Sequence, residues 1–512
     1  MLQLLDHGVP PVDEERLLLG TFMLLLDLTI VNVALPDIQA ALHASFTPLQ
    51  WIVDVYALTL AALLLTAGSL ADLLGRKRVY LVGLTVFTVA SALCGVAQDV
   101  LLLQVARALQ GIGGATIFAT SLALLAGAFH GKERGTAFGV WGAVTGLAVA
   151  VGPLLGGVLT SALSWRWIFF VNLPIGVAAV ALTAAQVRES RAPSSRRPDW
   201  PGLVVFTTAL TALVYGLIES GDRGFGDGSV IASLVAAALL LTVFVAIDAR
   251  SSAPMFDLAL FRKPTFTGGA VAAFGINGSV FAMLLFLVLY LQDVLGYDAL
   301  QTGVRLLALS GAILVTATVA GRLSAHLPAR ALVGVGLLIV GTGLFLMRGI
   351  DASSSWTHLL PGLLVAGVGA GMVNPPLAST AVGVVAPHQA GMASGINSTF
   401  RQVGITTGIA VYGTVFTSAL TDRITSGLAS SPGLSGHADE IATATRSGGL
   451  GPVLQRLPTD QREHVAAVAK AAFTSGLDRI LLVSAAVAVV AGVLALVLIR
   501  AQDFAAVRGA AH

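Results

Sequence analysis

Fourteen stretches of this 512-residue chain stay apolar for about 20 residues each, and that repetition leaves few folds open. They run approximately over 17–35, 51–71, 79–97, 101–129, 136–160, 166–187, 202–218, 229–247, 266–291, 301–321, 331–347, 358–386, 396–420 and 480–499. A helix of about 20 mostly apolar residues is what crosses ~30 Å of hydrocarbon. Inside lipid every backbone N–H and C=O must be satisfied within the protein. Runs of this length and continuity do so as helices rather than as barrel strands. Only 11% of the residues are charged and 56% are hydrophobic, where a soluble domain carries about 25% charged residues. The expected fold is all-α and integral to a membrane, with 14 transmembrane helices.

Lysine and arginine in the connections set the orientation. With the N-terminus inside, the inside segments hold 17 of the 29 basic residues, among them Arg76, Lys77 and Arg78, the cluster Arg188, Arg191, Arg196 and Arg197, and the pair Arg262 and Lys263. The short outside loops hold Arg166, Arg223 and Arg348. Both termini are expected in the cytoplasm, with the chain multi-pass in the cell membrane. Residues 1–16 carry Asp6, Asp13, Glu14 and Glu15 beside Arg16, and the run that follows is too long for the core of a cleavable signal.

Several chemistries find no support. A net charge of +2 gives no argument for a nucleic-acid partner. The lone cysteine, Cys94, lies in an apolar run and excludes an intramolecular disulfide or a cysteine metal cluster. The nine histidines are scattered without metal-ligand spacing, so no metal and no cofactor is expected. No phosphate-binding loop of the Gly-x-x-x-x-Gly-Lys type occurs, and Gly367-x-Gly369-x-Gly371 sits inside a span with no strand before it, which is not a dinucleotide loop. No catalytic constellation is present, so the chain is not expected to be an enzyme.

Two segments and a repeat organise the rest. Residues 188–201 are basic and Pro/Ser-rich and read as a cytoplasmic linker. Residues 421–479 are polar and Gly/Ser-rich at first and helical from about Val453 to Ala472, an outside loop with a short surface helix. A weak repeat relates Gly68-x-Leu70…Lys77 after the second span to Gly321-x-Leu323…Arg330 after the tenth. If spans 9–14 repeat spans 1–6, spans 7 and 8 are an inserted pair, and the two halves can rock about a site near the midplane. The division is then an N-terminal six-helix bundle over 1–187, the linker and inserted pair over 188–265, and a C-terminal six-helix bundle over 266–512.

Polar residues inside the spans mark the expected site. Residues 26–36 place Asp27, Thr29 and Asn32 within the first apolar run. A charged side chain at the bilayer centre costs about 2.5–3.5 kcal/mol on insertion scales, so it faces other helices or water and handles a proton, an ion or a substrate. Arg107 in the fourth span needs a partner, and Asp27 and Asp54 are both candidates. A switch that moves the arginine or admits water can carry Asp27 between its protonated and ionised forms, which makes Asp27 the expected principal proton or cation site.

Two glycine motifs complete the picture. In Gly68-x-Leu70-Ala-Asp72-x-x-Gly75-Arg76-Lys77-Arg78, Gly68 lets helices approach, Asp72 can pair with Arg76 or cap the next helix, Gly75 makes the tight turn, and the basic triplet faces the anionic inner leaflet. In Gly152-Pro153-x-x-Gly156-Gly157, the proline bends the fifth span and the glycines let a neighbour lie against it. The substrate path is expected to be wide and mostly apolar, with Asn32, Tyr56, Asn277, Phe281, Tyr290, Asn374 and Gln402 as its polar and aromatic groups.

On these motifs the sequence resembles the major facilitator superfamily. Gly68–Arg78 is similar to that family's signature loop between spans 2 and 3, a latch whose charges hold one conformation of two bundles; Asp72, Arg76 and Lys77 are the matching residues. The stretch 26–36, Arg107–Gly113, Gly152–Gly157, Trp165–Gly176 and Gly391–Gln402 resemble the fourteen-span drug:proton antiporter branch. The resemblance covers about 1–420 and 480–500, and it departs from the pattern at Ala148, where another Gly is common. It implies two six-helix bundles plus two inserted central helices, a role for Arg107 in proton coupling, and export rather than import from the span 5 motif. The implied function is export of drugs, antibiotics or other amphiphilic small molecules in exchange for protons, by a monomer, conferring resistance. Export of an endogenous metabolite or a self-made antibiotic is the alternative, ahead of a membrane sensor or enzyme.

Overall fold

A computed structural model describes residues 14–128, 151–187, 199–251, 256–385, 390–429, 434–446 and 450–504, with isolated positions added or missing. Every regular element among them is helical. The helices are α1 (Glu14–Leu42), α2 (Phe46–Leu74), α3 (Arg76–Val96), α4 (Val100–Ala128), α5 (Val151–Ala162), α6 (Trp167–Gln186), α7 (Trp200–Arg223), α8 (Gly228–Arg250), α9 (Pro264–Val294), α10 (Ala299–Leu323), α11 (Ala329–Leu346), α12 (Leu360–Val382), α13 (Ala390–Leu428), α14 (Ala438–Arg446), α15 (Leu450–Arg456) and α16 (Thr459–Leu498). Thirteen of them are long and apolar enough to span a membrane. The expected fifth span, 136–160, falls partly outside the described residues, and α5 is its described remainder.

Local sequence sets the helix ends. Asp199 caps α7 by accepting from the Gly202 N–H, with Pro201 in the first turn, where its missing N–H costs nothing. Asp227 and Asp298 cap α8 and α10 in the same way. Gly75 joins α2 to α3 with φ +113°, a backbone that side-chain-bearing residues rarely adopt.

The packing of the early helices recurs in the later ones. α4 packs on α2 and α3 as α12 packs on α10 and α11, and α6 packs on α1 and α3 as α16 packs on α9 and α11. The chain therefore forms two six-helix bundles plus an inserted pair. The pair, α7 and α8, packs through α7 onto α2 and α13, along the seam between the halves. Phe206, Phe244 and Phe256 form its centre, with ring centroids 5.0–5.5 Å apart.

The seam is closed at the end remote from Arg76–Arg78. There Gln292 Nε2 donates to the Val33 carbonyl (2.8 Å), Gln50 Nε2 to the Ile409 carbonyl (3.1 Å), and the Leu300 N–H to Ser161 Oγ (3.0 Å). Phe46 of α2 packs against Phe286 of α9 and Phe416 of α13, 5.8 and 5.7 Å between centroids.

The reading of 421–479 as a loop is corrected. α13 continues unbroken to Leu428, and α16 begins at Thr459 and runs without interruption into the last apolar run. The short surface helix is the first half of α16. α14 and α15 fill the space between, so the segment is a helical cap. Arg446 of α14 reaches Asp222 at the end of α7 (2.6 Å), and Thr47 of α2 donates to the same carboxylate (2.5 Å).

Candidate functional site

Arg107 and Asp27 are brought together, and Asp54 is not. Arg107 Nη1 donates to Asp27 Oδ2 at 2.5 Å, with side chains 1% and 0% exposed. Two carboxamides complete the carboxylate's shell: Gln110 Nε2 at 2.8 Å and Asn172 Nδ2 at 3.1 Å, both to Oδ1. Ser91 Oγ accepts from both amides (3.3 and 3.0 Å) and donates to the Phe169 carbonyl (2.9 Å). On the arginine side, Nε donates to the Ile52 carbonyl at 3.2 Å, and the guanidinium carbon lies 4.1 Å from the Tyr56 ring centroid. Four helices, α1, α3, α4 and α6, thus supply one hydrogen-bonded cluster against α2. A buried ion pair survives only with this quality of solvation by neighbours, because taking each charge out of water costs several kcal/mol.

Gln110 and Asn172 lie in quoted motifs, yet only the helix rotations show that both reach Asp27. Ser91 carried no signal at all. Asp54 is fully buried, and neither of its oxygens has a hydrogen-bond partner. It sits on α2 between Ile52 and Tyr56, the residues that cradle Arg107, and one turn beyond Gln50, which reaches α13. At 3.6 residues per turn this puts it on the α13 side of α2, at the seam.

The fifth-span glycines seat α5 between the two halves. A Cβ on Gly152 would collide with Thr29 Oγ1, and one on Gly156 would meet the Ile30 carbonyl oxygen at 2.7 Å. A Cβ on Gly157 would meet the Ala299 carbonyl oxygen at 2.5 Å, and one on Gly303 would collide with the Pro153 carbonyl oxygen. α5 therefore touches α1 and α10 backbone to backbone. The bend expected at Pro153 involves residues before 151, which lie outside the described residues.

In the loop Gly68–Arg78, Asp72 pairs with Arg76 at 2.8 Å, one of the two expected options. The other option, a cap on α3, is taken by Glu189 from the basic segment that begins at 188. Its carboxylate accepts from the N–H groups of Lys77 (3.1 Å) and Arg78 (3.3 Å), where an anion suits the helix N-terminus. Lys77 Nζ donates to the Ala184 carbonyl at 2.8 Å. The expected close approach at Gly68 is absent: a Cβ there would meet Ala119 at an ordinary 3.9 Å.

The Major Facilitator Superfamily family model matches residues 17–409. The chain belongs to this superfamily. Multidrug resistance protein Stp of Mycobacterium tuberculosis (strain ATCC 25618 / H37Rv) is 39% identical over 398 residues, covering 78% of this chain and 74% of that protein. The tetracenomycin C resistance and export protein of Streptomyces glaucescens is 33% identical over 489 residues, covering 94% of this chain and 90% of that one. A bacterial homolog to the human lysosomal transporter Spinster, solved inward-facing and unoccupied, shares the fold, with a TM-score of 0.65 at 16% identity over 98% of this chain and 99% of that one.

Within this Major Facilitator chain the expected path residues separate into two groups. Tyr56 and Tyr290 are fully buried, Tyr56 under Arg107 and Tyr290 with its hydroxyl on the Ser354 carbonyl (3.4 Å), so neither lines an open path in this conformation. Asn32, Phe281 and Asn374 are half-buried, and Asn277 and Gln402 are nearly closed. Asn277 begins a π-helical turn, Asn277–Phe281, whose Gly278 carbonyl accepts from the Tyr412 hydroxyl at 2.6 Å. Turns of this kind recur at functional sites.

Proposed function

We propose that this protein exports drugs, antibiotics or other amphiphilic small molecules across the cytoplasmic membrane in exchange for protons. The observation that carries the coupling is the sealed Asp27–Arg107 pair. A proton delivered to Asp27 would remove the counter-charge of Arg107 in a place where no water replaces it, and breaking such a pair costs about 3–5 kcal/mol. Protonation and a change of helix packing are therefore linked. Asp54, a carboxyl without donors on the seam side of α2, is the second proton-handling group in this reading. Each proton entering down 100 mV supplies about 2.3 kcal/mol, and each pH unit about 1.36 kcal/mol.

The names of the relatives support resistance by efflux, and the tetracenomycin C protein supports export of a self-made antibiotic as the second reading. We place both termini in the cytoplasm, which makes the closed end of the seam the outer one. We divide the chain into bundles over 1–187 and 266–512 with the pair over 188–265 between them, working as a monomer. Gradient-driven efflux from proteoliposomes tests the function. Loading a fluorescent amphiphile and imposing a pH gradient should produce uphill movement with wild-type protein and none with Asp27→Asn. Full efflux by that variant would sink the proposal.

A further inference from the structure

The N-terminal half neutralises the buried Arg107, and the C-terminal half leaves the half-buried Arg401 without a counter-charge among the described residues. Arg401 of α13 donates through Nε to Asn397 Oδ1 (3.4 Å) and through Nη1 to Asn374 Oδ1 of α12 (3.1 Å). Both partners are uncharged. Their amide nitrogens are committed elsewhere, Asn397 to the Gly269 carbonyl (3.4 Å) and Asn374 to the Ala370 carbonyl (3.2 Å), which fixes their oxygens on the guanidinium. No carboxylate among the described residues lies within ion-pair reach of Arg401. Its Nη2 makes no hydrogen bond to a described residue, and the side chain as a whole is half-buried.

The depth and direction of this group are fixed by its neighbours. Thr399, two residues before it, donates to the Ala61 carbonyl at 3.5 Å, and Ala61 is at the middle of α2. Arg401 is thus near mid-depth, inward of the Asp27–Arg107 layer, where transporters of two-bundle design hold their cargo. α13 is flanked by α2, α7, α9, α12 and α16, and Arg401 turns toward α12 through Asn374, which sets its guanidinium between helices. A cation left with carboxamides alone in such a place lacks a counter-charge, and a planar fork with free donors matches a carboxylate.

We propose that Arg401, steered by Asn374 and Asn397, is a cargo-binding residue that recognises an organic anion, a carboxylate or similar planar oxyanion on an amphiphilic aromatic molecule. This rests on the exporter reading above and names the cargo class for it.

The test is equilibrium binding by fluorescence polarisation to the purified full chain, with 7-diethylaminocoumarin-3-carboxylate and its methyl ester as probes. Wild-type protein should bind the acid at least about 10-fold more tightly than the ester, as a charge-assisted hydrogen bond implies. Arg401→Gln should bind acid and ester alike, with ester affinity unchanged. Arg401→Lys, which keeps the charge but loses the fork, should retain a reduced preference, and it decides the matter if the glutamine variant does not fold. Equal binding of both probes by wild type, binding of neither, or a loss of both probes in proportion in the variants would overturn the proposal. Binding is read without a gradient, so failure of proton-driven efflux with this preference intact would count against the coupling reading alone.

Discussion

Arg107 Nη1 lies 2.5 Å from Asp27 Oδ2, with both side chains closed to solvent and the carboxylate's other oxygen held by Gln110 and Asn172. The pair ties α1 to α4 in the interior of one half. Removing one member should be worse than removing both. Arg107→Gln or Asp27→Asn alone leaves an uncompensated charge and should cost about 3–5 kcal/mol. The double variant should recover most of that loss in a detergent melting curve while remaining unable to couple protons. Equal melting points for all three variants would contradict the pair as drawn.

The glycines make opposite predictions at different positions. Gly156→Ala forces a Cβ against the Ile30 carbonyl oxygen and should destabilise by about 1–3 kcal/mol. Gly68→Ala makes only an ordinary contact with Ala119 and should be neutral or stabilising by up to about 1 kcal/mol, from helix propensity. Melting temperature and membrane yield of the two variants check this.

The spans were legible because each is a long apolar run, and the twofold plan was legible because its turn motif recurs. Partner choice was not. Asp27 and Asp54 are equivalent as sequence, and only the rotation of α2 sends Asp54 toward α13 and away from Arg107. Arg401 was visible as a charge within a span, but its carboxamide partners come from one turn earlier on α13 and from α12. The cap at 421–479 was misread because α13 and α16 leave the apolar stretch with polar, Gly- and Ser-containing sequence, so hydropathy ends before the helix does. Glu189 was hidden among the basic residues of a linker.

Glu189 should matter for α3 more than for the fold. Glu189→Gln removes an anion from a helix N-terminus and should cost about 0.3–1 kcal/mol. The Arg78 ion pair, at 3.7 Å and largely exposed, should add little. Hydrogen exchange in the first turn of α3, at Lys77 and Arg78, should quicken in the variant and remain unchanged elsewhere. Unchanged exchange at those amides would contradict the capping role.

Closure of the seam can be trapped. The Leu300 N–H bonds Ser161 Oγ at 3.0 Å across the two halves, and the one native cysteine, Cys94, is buried. In a Cys94→Ala background, Ser161→Cys with Leu300→Cys should form a disulfide on mild oxidation, stop transport, and release it on reduction. Failure to cross-link would mean that this closed seam is not populated in the membrane.

The central claim is that a proton is exchanged for cargo through Asp27. Proteoliposomes containing an entrapped pH-sensitive dye report it when an amphiphilic cargo is added without any imposed gradient. Wild-type protein should show cargo-evoked proton movement opposite to the cargo, and Asp27→Asn should show cargo movement with none. Proton movement of wild-type size in Asp27→Asn would contradict the account.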